Sequence, residues 1–372
     1  MTRVNNIGIL LPQSNAYPFM GKSFMNGIRL ALKNKPVHFL VESIGFGSNP
    51  TDILNAYQKL TIQNEIDLTT GLFGHSGFLE LANFAAENNE ILIAASLGAT
   101  KTQPVPKGVF QNSLDLYNAL TELAFFLSEK NNKSIATSSC YYESGYGFIK
   151  ALDLALNQIK SAQFVGHYIT PLNPRQQESE IMNLAIEEMK PDAIIAFHNS
   201  IFAKEHAEYL SENKLYEKHP VYCLPFSAED QLVKDFPSVF KKIKTISSWY
   251  PDLANQHNQT FVFDYGEKTG KKPDFFALLG YENGLIINAA LNQKNSSLVT
   301  NLEKTNIDGP RGNISFNQTE QKTSFKNYIW EQYLDADQKV KRTQNETLEL
   351  NTINTNNKII NTQGWHNSYL CH

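Results

Sequence analysis

The sequence predicts an α/β fold built from two doubly wound lobes in succession. Three observations carry this. Short apolar runs of strand length alternate with amphipathic helical stretches, which is the pattern of parallel βαβ units. The alternation starts afresh after Gln111-Asn112-Ser113, and 372 residues are enough for two separate cores.

Taken in order, Ile7-Gly8-Ile9-Leu10-Leu11-Pro12 reads as a strand buried on both faces and closed by proline. The polar loop Gln13 to Phe19 leads into a helix from Met20 that carries Phe24, Ile28, Leu30, Ala31 and Leu32. Val37 to Val41 is a second strand, and Asn49-Pro50-Thr51-Asp52 has the polar and proline residues that open a helix. Ile66 to Thr70 is a third strand, punctuated by Gly71-Leu72-Phe73-Gly74-His75-Ser76-Gly77. A helix follows, with Phe78, Leu81, Ala82, Phe84, Ala85 and Ala86 at helical spacing, and then the strand Ile91 to Ala95, ending in Ser96-Leu97-Gly98-Ala99-Thr100.

The second series repeats this logic. Leu114 to Leu127 is helical, Ser134 to Ser138 a strand, Tyr142 to Gly147 a glycine turn, and Phe148 to Ile159 a helix. Strand Ala162 to Tyr168, helix Glu178 to Met189, strand Asp192 to Phe197 ending at His198-Asn199-Ser200, helix Ala203 to Asn213 and strand Val221 to Pro225 follow. Strand Ile243 to Tyr250, helices Gln256 to Thr269 and Phe275 to Leu291, the turn Asp308 to Gly312, the extended run Asn313 to Phe316 and the strand Tyr328 to Tyr333 complete the pattern. From Thr343 to His372 the chain is rich in Asn and Thr with little periodicity, so this tail is expected to be peripheral or mobile.

Two consecutive strands therefore end in small, hydroxyl-bearing loops. Ligands in open parallel sheets bind beyond the carboxyl ends of the strands. The helix start after Gly77 offers spare backbone N–H groups, and the glycines allow close approach. His75, Ser76, Ser96 and Thr100 add side-chain hydrogen bonds at the same spot. A carboxylate is the kind of group such a place holds.

Composition narrows the function classes. Hydrophobic residues at 41%, charged residues at 19% and a net charge of −4 describe a soluble globular protein without the basic footprint of a nucleic-acid binder. No apolar run has the length of a bilayer span. Met1-Thr2-Arg3-Val4-Asn5-Asn6 leads directly into a core strand, so either the protein is cytoplasmic with a native Met1, or a signal peptide has been removed. Cys140, Cys223 and Cys371 show neither a disulfide framework nor a zinc pattern; the first two read as buried strand residues. Trp365-His366 to Cys371-His372 reads as a frayed polar tail, and no metal or cofactor is called for.

Two α/β lobes with a late return to the first resemble the type I periplasmic binding proteins, and more closely the branch serving branched-chain amino acid and amide transport. The resemblance is carried by Ile7 to Pro12 with Gly21 and Asn26-Gly27, by Gly71 to Ser76, by Ser96 to Thr100, by Tyr146-Gly147 and by Gly309-Pro310-Arg311-Gly312, over roughly residues 5 to 335. It implies Rossmann-like lobes joined by a three-strand hinge: residues 1–115 with 249–325, and 116–248 with 326–342. It also implies a monomeric solute-binding protein, periplasmic or attached to the cell envelope, that delivers a small ligand to the membrane permease of an ABC importer.

Carried across by position, the hydroxyl receiving a ligand carboxylate is Ser76, with His75 as the one-residue alternative. Thr100 and backbone groups of Ala95, Ser96 and Gly98 assist, and Tyr146 comes from the second lobe. His198 stands where that lobe usually contributes an aromatic residue, which points to a polar contact. Phe226 lies near the place where amino-acid binders keep an acid for the ligand's ammonium group, which puts amino-acid specificity in doubt unless Glu229 or Asp230 takes over. With Phe19, Phe46, Tyr146, Phe226, Trp249 and Tyr250 facing the cleft, an apolar or aromatic carboxylate or amide is an equal expectation.

Bland uses compete with these assignments. Ser and Thr cap turns and helices without any ligand. Trp249 and Tyr250 also suit hinge packing, His198 a polar cap, and Glu42 and Glu282 structural or solvated positions. A hydrolase is disfavoured: Gly74-His75-Ser76-Gly77 departs from the G-x-S-x-G elbow and no triad partners stand out. The same fold used as a ligand-sensing regulator or receptor domain is the alternative to transport.

Overall fold

The computed structural model describes residues 4–293, 296–349 and 367–372. The first lobe alternates strand and helix: β1 (Asn5–Leu11), α1 (Met20–Ala31), β2 (Val37–Ser43), α2 (Pro50–Gln63), β3 (Leu68–Leu72), α3 (Phe78–Glu87), β4 (Leu92–Ser96) and β5 (Val109–Ser113). Its five strands lie parallel in the order β2-β1-β3-β4-β5. The second lobe continues with α4 (Leu116–Glu129), β6 (Ser134–Cys140), α5 (Phe148–Ile159), β7 (Gln163–Thr170), α6 (Glu178–Met189), β8 (Ala193–Phe197), α7 (Ser200–Asn213), α8 (Leu215–Lys218), β9 (Val221–Cys223), α9 (Asp230–Asp235), α10 (Pro237–Phe240) and β10 (Lys244–Ser247).

The chain then returns to the first lobe with α11 (Gln256–Thr269), α12 (Phe275–Asn292), α13 (Leu298–Glu303) and the hairpin β11 (Asn306–Gly309) and β12 (Gly312–Ser315). It crosses once more to add β13 (Tyr328–Leu334) and β14 (Val340–Thr347). The second sheet runs β14-β13-β10-β9-β8-β6-β7, with β13 antiparallel to both β10 and β14.

Strand alternation decides which helices cover which face. In β4, Ile93 and Ala95 pack toward the core shared with α1 and α12, while Leu92 and Ala94 meet α2 and α3. In β8, Ile195 and Phe197 point toward α4 and α5, while Ile194 and Ala196 face α6 and α7. Helix α12 lies so close to α1 that a Cβ on Gly27 would fall 2.1 Å from the Ala277 carbonyl, and one on Gly280 2.1 Å from the Phe24 carbonyl.

The three crossings are tied together by a buried polar network. Arg311, at the tip of the β11–β12 hairpin, forms a two-pronged ion pair with Glu282 of α12 at 2.5 and 2.9 Å, both side chains fully buried. The same guanidinium donates to the Ser113 carbonyl in the first crossing, to Ser248 Oγ in the second and to Asn112 Oδ1. Asn112 Oδ1 also accepts from Thr323 Oγ1 in the third crossing, and Phe325 lies 3.7 Å beneath the guanidinium. Glu282 is thus structural, one of the two readings its sequence position allowed.

Trp249 and Tyr250 lie in the second crossing, as expected, but their sides are taken by packing. The Trp249 indole donates to Asn258 Oδ1 at 2.7 Å and meets Phe275 edge to face. Tyr250 packs on Trp330 and carries the Arg342 guanidinium 4.2 Å above its ring.

The end of the chain departs from the expected peripheral tail. Thr343 to Thr347 belong to β14, where the register with β13 shifts once between Ile329 and Trp330. Among residues 367–372, Tyr369, Leu370 and Cys371 are buried and belong to the main core. A three-residue apolar run is too short to show periodicity, so nothing in the local pattern marks it as core. Trp365 and His366 lie outside the described residues; Cys371 is a buried free thiol, not part of a frayed end.

Candidate ligand-binding site

A cavity of about 360 Å³ opens at the carboxyl ends of β3 and β4. Its apolar surface comes from Leu72 and Phe73 at the end of β3, Phe78 and Leu79 at the start of α3, Leu97, and Met20 and Phe276 from α1 and α12. The end of β4 and the loop after it bring Ser96, Thr100, Lys101 and Thr102 to its polar side, and His75 closes it from the β3 loop. Two glycines shape these loops. Gly77, the residue before α3, has φ +64°, and Gly98 has φ +67°, where a Cβ would come within 2.6 Å of Asp115 Cα in the first crossing.

The remaining wall is made by Ser368, Tyr369 and Cys371. Among the described residues, none of the second lobe lines this cavity. That lobe instead meets the segment. Tyr369 stands edge to face with Tyr146 at 4.9 Å, with Phe148 at 5.4 Å and with Phe226 at 5.9 Å. Tyr146 Oη donates to the Ser368 carbonyl at 3.4 Å.

Below these rings lies Glu143, fully buried. One of its oxygens accepts from Asn199 Nδ2, and the other has no hydrogen-bond partner among the described residues. The Tyr369 phenol lies beside it without a hydrogen bond of ordinary geometry. Burial pushes the Glu143 carboxyl up to about 8, because ionisation in an apolar surround is opposed more than the Asn199 hydrogen bond favours it. Sequence reasoning missed Glu143. It sits in a stretch that read as turn punctuation, and its one signal was an acid among Tyr141, Tyr142 and Tyr146.

The other candidates divide into three groups. His75, Ser96, Gly98 and Thr100 come together at the cavity. Tyr146 and Phe226 face the segment between the lobes, the latter also meeting Tyr17 and Phe276. The rest are placed elsewhere. Ser76 Oγ donates to the Ser48 carbonyl at 3.1 Å, because the left-handed Gly77 turns the chain toward the loop before α2, so His75 is the residue of that pair at the cavity. The Ala95 carbonyl accepts from Phe73 N–H between the ends of β3 and β4, and Ala95 does not line the cavity. Phe19 is 44% exposed at the start of α1 and packs edge to face on Phe276. His198 is a core residue: Nε2 pairs with Ser138 Oγ at 3.1 Å, and its ring stacks on His206 at 3.9 Å. Trp249 and Tyr250 are the hinge residues described above.

Glu229 and Asp230 do not supply a ready acid beside Phe226. Asp230 is paired with Arg342 at 2.5 Å, and burial with Asp274 nearby pushes Glu229 up to about 7.

Comparisons with known proteins agree with this architecture. A family model described as periplasmic binding protein matches residues 5–332. An ABC transporter substrate-binding protein from Sphaerobacter thermophilus superposes with a TM-score of 0.80 at 18% identity, covering 93% of this chain and 98% of that one. A solute-binding protein of an ABC transporter from R. palustris, in complex with benzoate, gives 0.72 at 20% identity over 92% and 96%. A leucine-binding protein from Thermotoga maritima gives 0.67 at 16% over 93% and 99%. At these identities the likeness is one of fold. A comparison with curated proteins finds no match. With the family model covering most of the chain, the protein belongs to the periplasmic binding protein family.

Proposed function

We propose that this protein is the extracytoplasmic solute-binding component of an ABC importer, and that it captures a small carboxylate- or amide-bearing ligand, foremost an apolar or aromatic acid. The observation that carries the reading is the two-sided chemistry of the cavity. Leu72, Phe73, Phe78 and Phe276 offer an apolar bed, while Ser96, Thr100 and Lys101 gather hydroxyls and positive charge close to the start of α3. A helix start favours an anion, and an apolar ring gains roughly 25 cal/mol for each Å² removed from water. The benzoate held by the R. palustris neighbour supports an aromatic acid. The leucine-binding neighbour keeps amino acids in view, although an ammonium group near Phe226 would find Asp230 already paired.

The mechanism is a population shift. Residues 1–115 with 249–325 and residues 116–248 with 326–342 act as two bodies closing about the three crossings, and a ligand that interacts more strongly in the closed state favours it. No bond is made or broken, and a monomer in the closed form is what the membrane permease recognises. Among the described residues no helix is long and apolar enough to cross a membrane.

The test is calorimetric titration with benzoate, 4-hydroxybenzoate and leucine. Binding of at least one is expected, and Thr100→Ala should weaken it about tenfold, as the loss of one hydrogen bond to a charged group does. Unchanged affinity removes Thr100 from the site; no binding of any of the three sinks the reading.

A further inference from the structure

We infer that Asn367–His372 is a built-in wall of the solute site, and that Ser368, Tyr369 and Cys371, in place of the second lobe, determine which ligand fits. This rests on the cavity being the solute site. The segment is anchored on both lobes. Ser14 Oγ donates to the Leu370 carbonyl at 2.5 Å, and the N–H groups of Asn15 and Ala16 donate to the His372 carbonyl at 3.1 and 3.2 Å. Ser368 N–H donates to the Phe46 carbonyl at 3.1 Å. On the other side the Tyr369 ring fills the space between Tyr146, Phe148 and Phe226. The segment also holds its own shape: Cys371 N–H closes a turn on the Ser368 carbonyl at 2.9 Å, and Asn367 Nδ2 donates to the Cys371 carbonyl at 2.8 Å.

The first lobe is cut to receive it. A Cβ on Gly74 would stand 2.6 Å from Ser368 Cα, and one on Gly47 2.2 Å from Ser368 Oγ. Gly47 has φ +66° and needs glycine for its backbone as well, but Gly74 does not adopt a left-handed conformation. What requires glycine at 74 is the passage of the segment. Leu370 and Cys371 are as buried as any residue of the core, which marks the segment as part of the folded site and not as a loosely held occupant of it. Because these residues lie between the cavity and the second lobe, a ligand in the cavity touches them first, and its effect on closure passes through the Tyr369 ring to Tyr146 and Phe226.

The wall predicts a change in ligand preference, which mere loosening of the fold does not produce. In the full chain, benzoate and 2-naphthoate affinities are measured for the parent, for Tyr369→Ala and for the milder Cys371→Ala, with circular dichroism to confirm folding. Enlarging the cavity should raise the naphthoate-to-benzoate affinity ratio at least tenfold in Tyr369→Ala and several-fold in Cys371→Ala. Both acids weakening by the same factor in both variants overturns the wall and leaves the segment a structural strap. Both acids tightening by the same factor also overturns it, and makes the segment a competitor for the site. If the parent binds one of the acids and the ratio is unchanged, only the wall falls. If the parent binds neither these acids nor leucine, the solute reading falls and takes the wall with it.

Discussion

Two buried polar clusters of this protein differ in how completely their groups are satisfied. At the hinge, Arg311 and Glu282 spend their hydrogen-bonding capacity on each other and on Asn112, Ser113 and Ser248 from two of the crossings, with Thr323 of the third joined through Asn112. Under the cleft, Glu143, Asn199 and His198 form a sparser set, in which Glu143 Oε2, Asn199 Oδ1 and His198 Nδ1 have no partner among the described residues. A satisfied network rigidifies; a partly satisfied one raises the energy of its charged forms and remains open to a proton or a ligand. The hinge network therefore keeps the three crossings bound to one another, while the cleft floor is left open to respond.

Breaking the hinge should produce the largest effect. Arg311→Ala leaves Glu282 as an uncompensated buried charge and should cost about 3–5 kcal/mol of stability in chemical denaturation. Replacing both Arg311 and Glu282 by apolar residues of similar volume should restore much of that loss. If the single substitution costs under about 1 kcal/mol, the network does not tie the crossings as described.

The cleft floor should show itself in the pH dependence of stability. Glu143 keeps its proton up to about 8 when folded but ionises near 4.5 when unfolded, so the unfolded chain binds fewer protons across that interval and stability falls as pH rises. Burial holds His167 at about 4 and His206 at about 3, so their stabilising share is complete above about 6.5 and is lost only on acidification. Between pH 6.5 and 8 the buried carboxyls are left to act, Glu122 at about 8 together with Glu143, and Glu229 at about 7 in the lower part of the window. Each contributes a slope on the order of 1 kcal/mol per pH unit. Glu143→Gln should remove one such share, about 2 kcal/mol over that window, in urea titrations at stepped pH. An unaltered slope would mean that Glu143 is already ionised in the folded protein.

The smallest effect concerns the segment between the lobes. Ser14→Ala removes the hydrogen bond to the Leu370 carbonyl together with the one Ser14 Oγ accepts from Tyr17 N–H, and should cost about 1–2 kcal/mol, read as a modest fall in Tm. No change would show that these bonds are made equally well by water.

Much of the fold was legible in local pattern. Helices α5, α6 and α11 have the bounds that periodicity predicts, since each presents a clear apolar stripe between breakers. Strand β5 was harder to see, because Gln111, Asn112 and Ser113 look like a loop, and their burial comes from the hinge network and not from an apolar side chain. Of the site, the first-lobe face was readable because loops at strand ends carry glycine and hydroxyls for reasons local to each loop. His75, Ser96, Gly98 and Thr100, which line the cavity, were picked out that way, whereas Ser76 turns away to the Ser48 carbonyl beside Gly77.

The sequence by itself determined the alternation of strands and helices, the doubling of the lobe and the loops that form the polar side of the cavity, because each depends on residues within a few positions of one another. Only the tertiary structure decided that Arg311 would reach Ser113 and Ser248, that Glu143 would lie fully buried beside Tyr369, and that residues 367–372 would enter the cleft. These pairings join positions some 60 to 360 residues apart in sequence, counted from hydrogen bonds such as Arg311 to Ser248 and Ser14 to Leu370. Their partners are brought together by sheet topology and core packing, which no local pattern records.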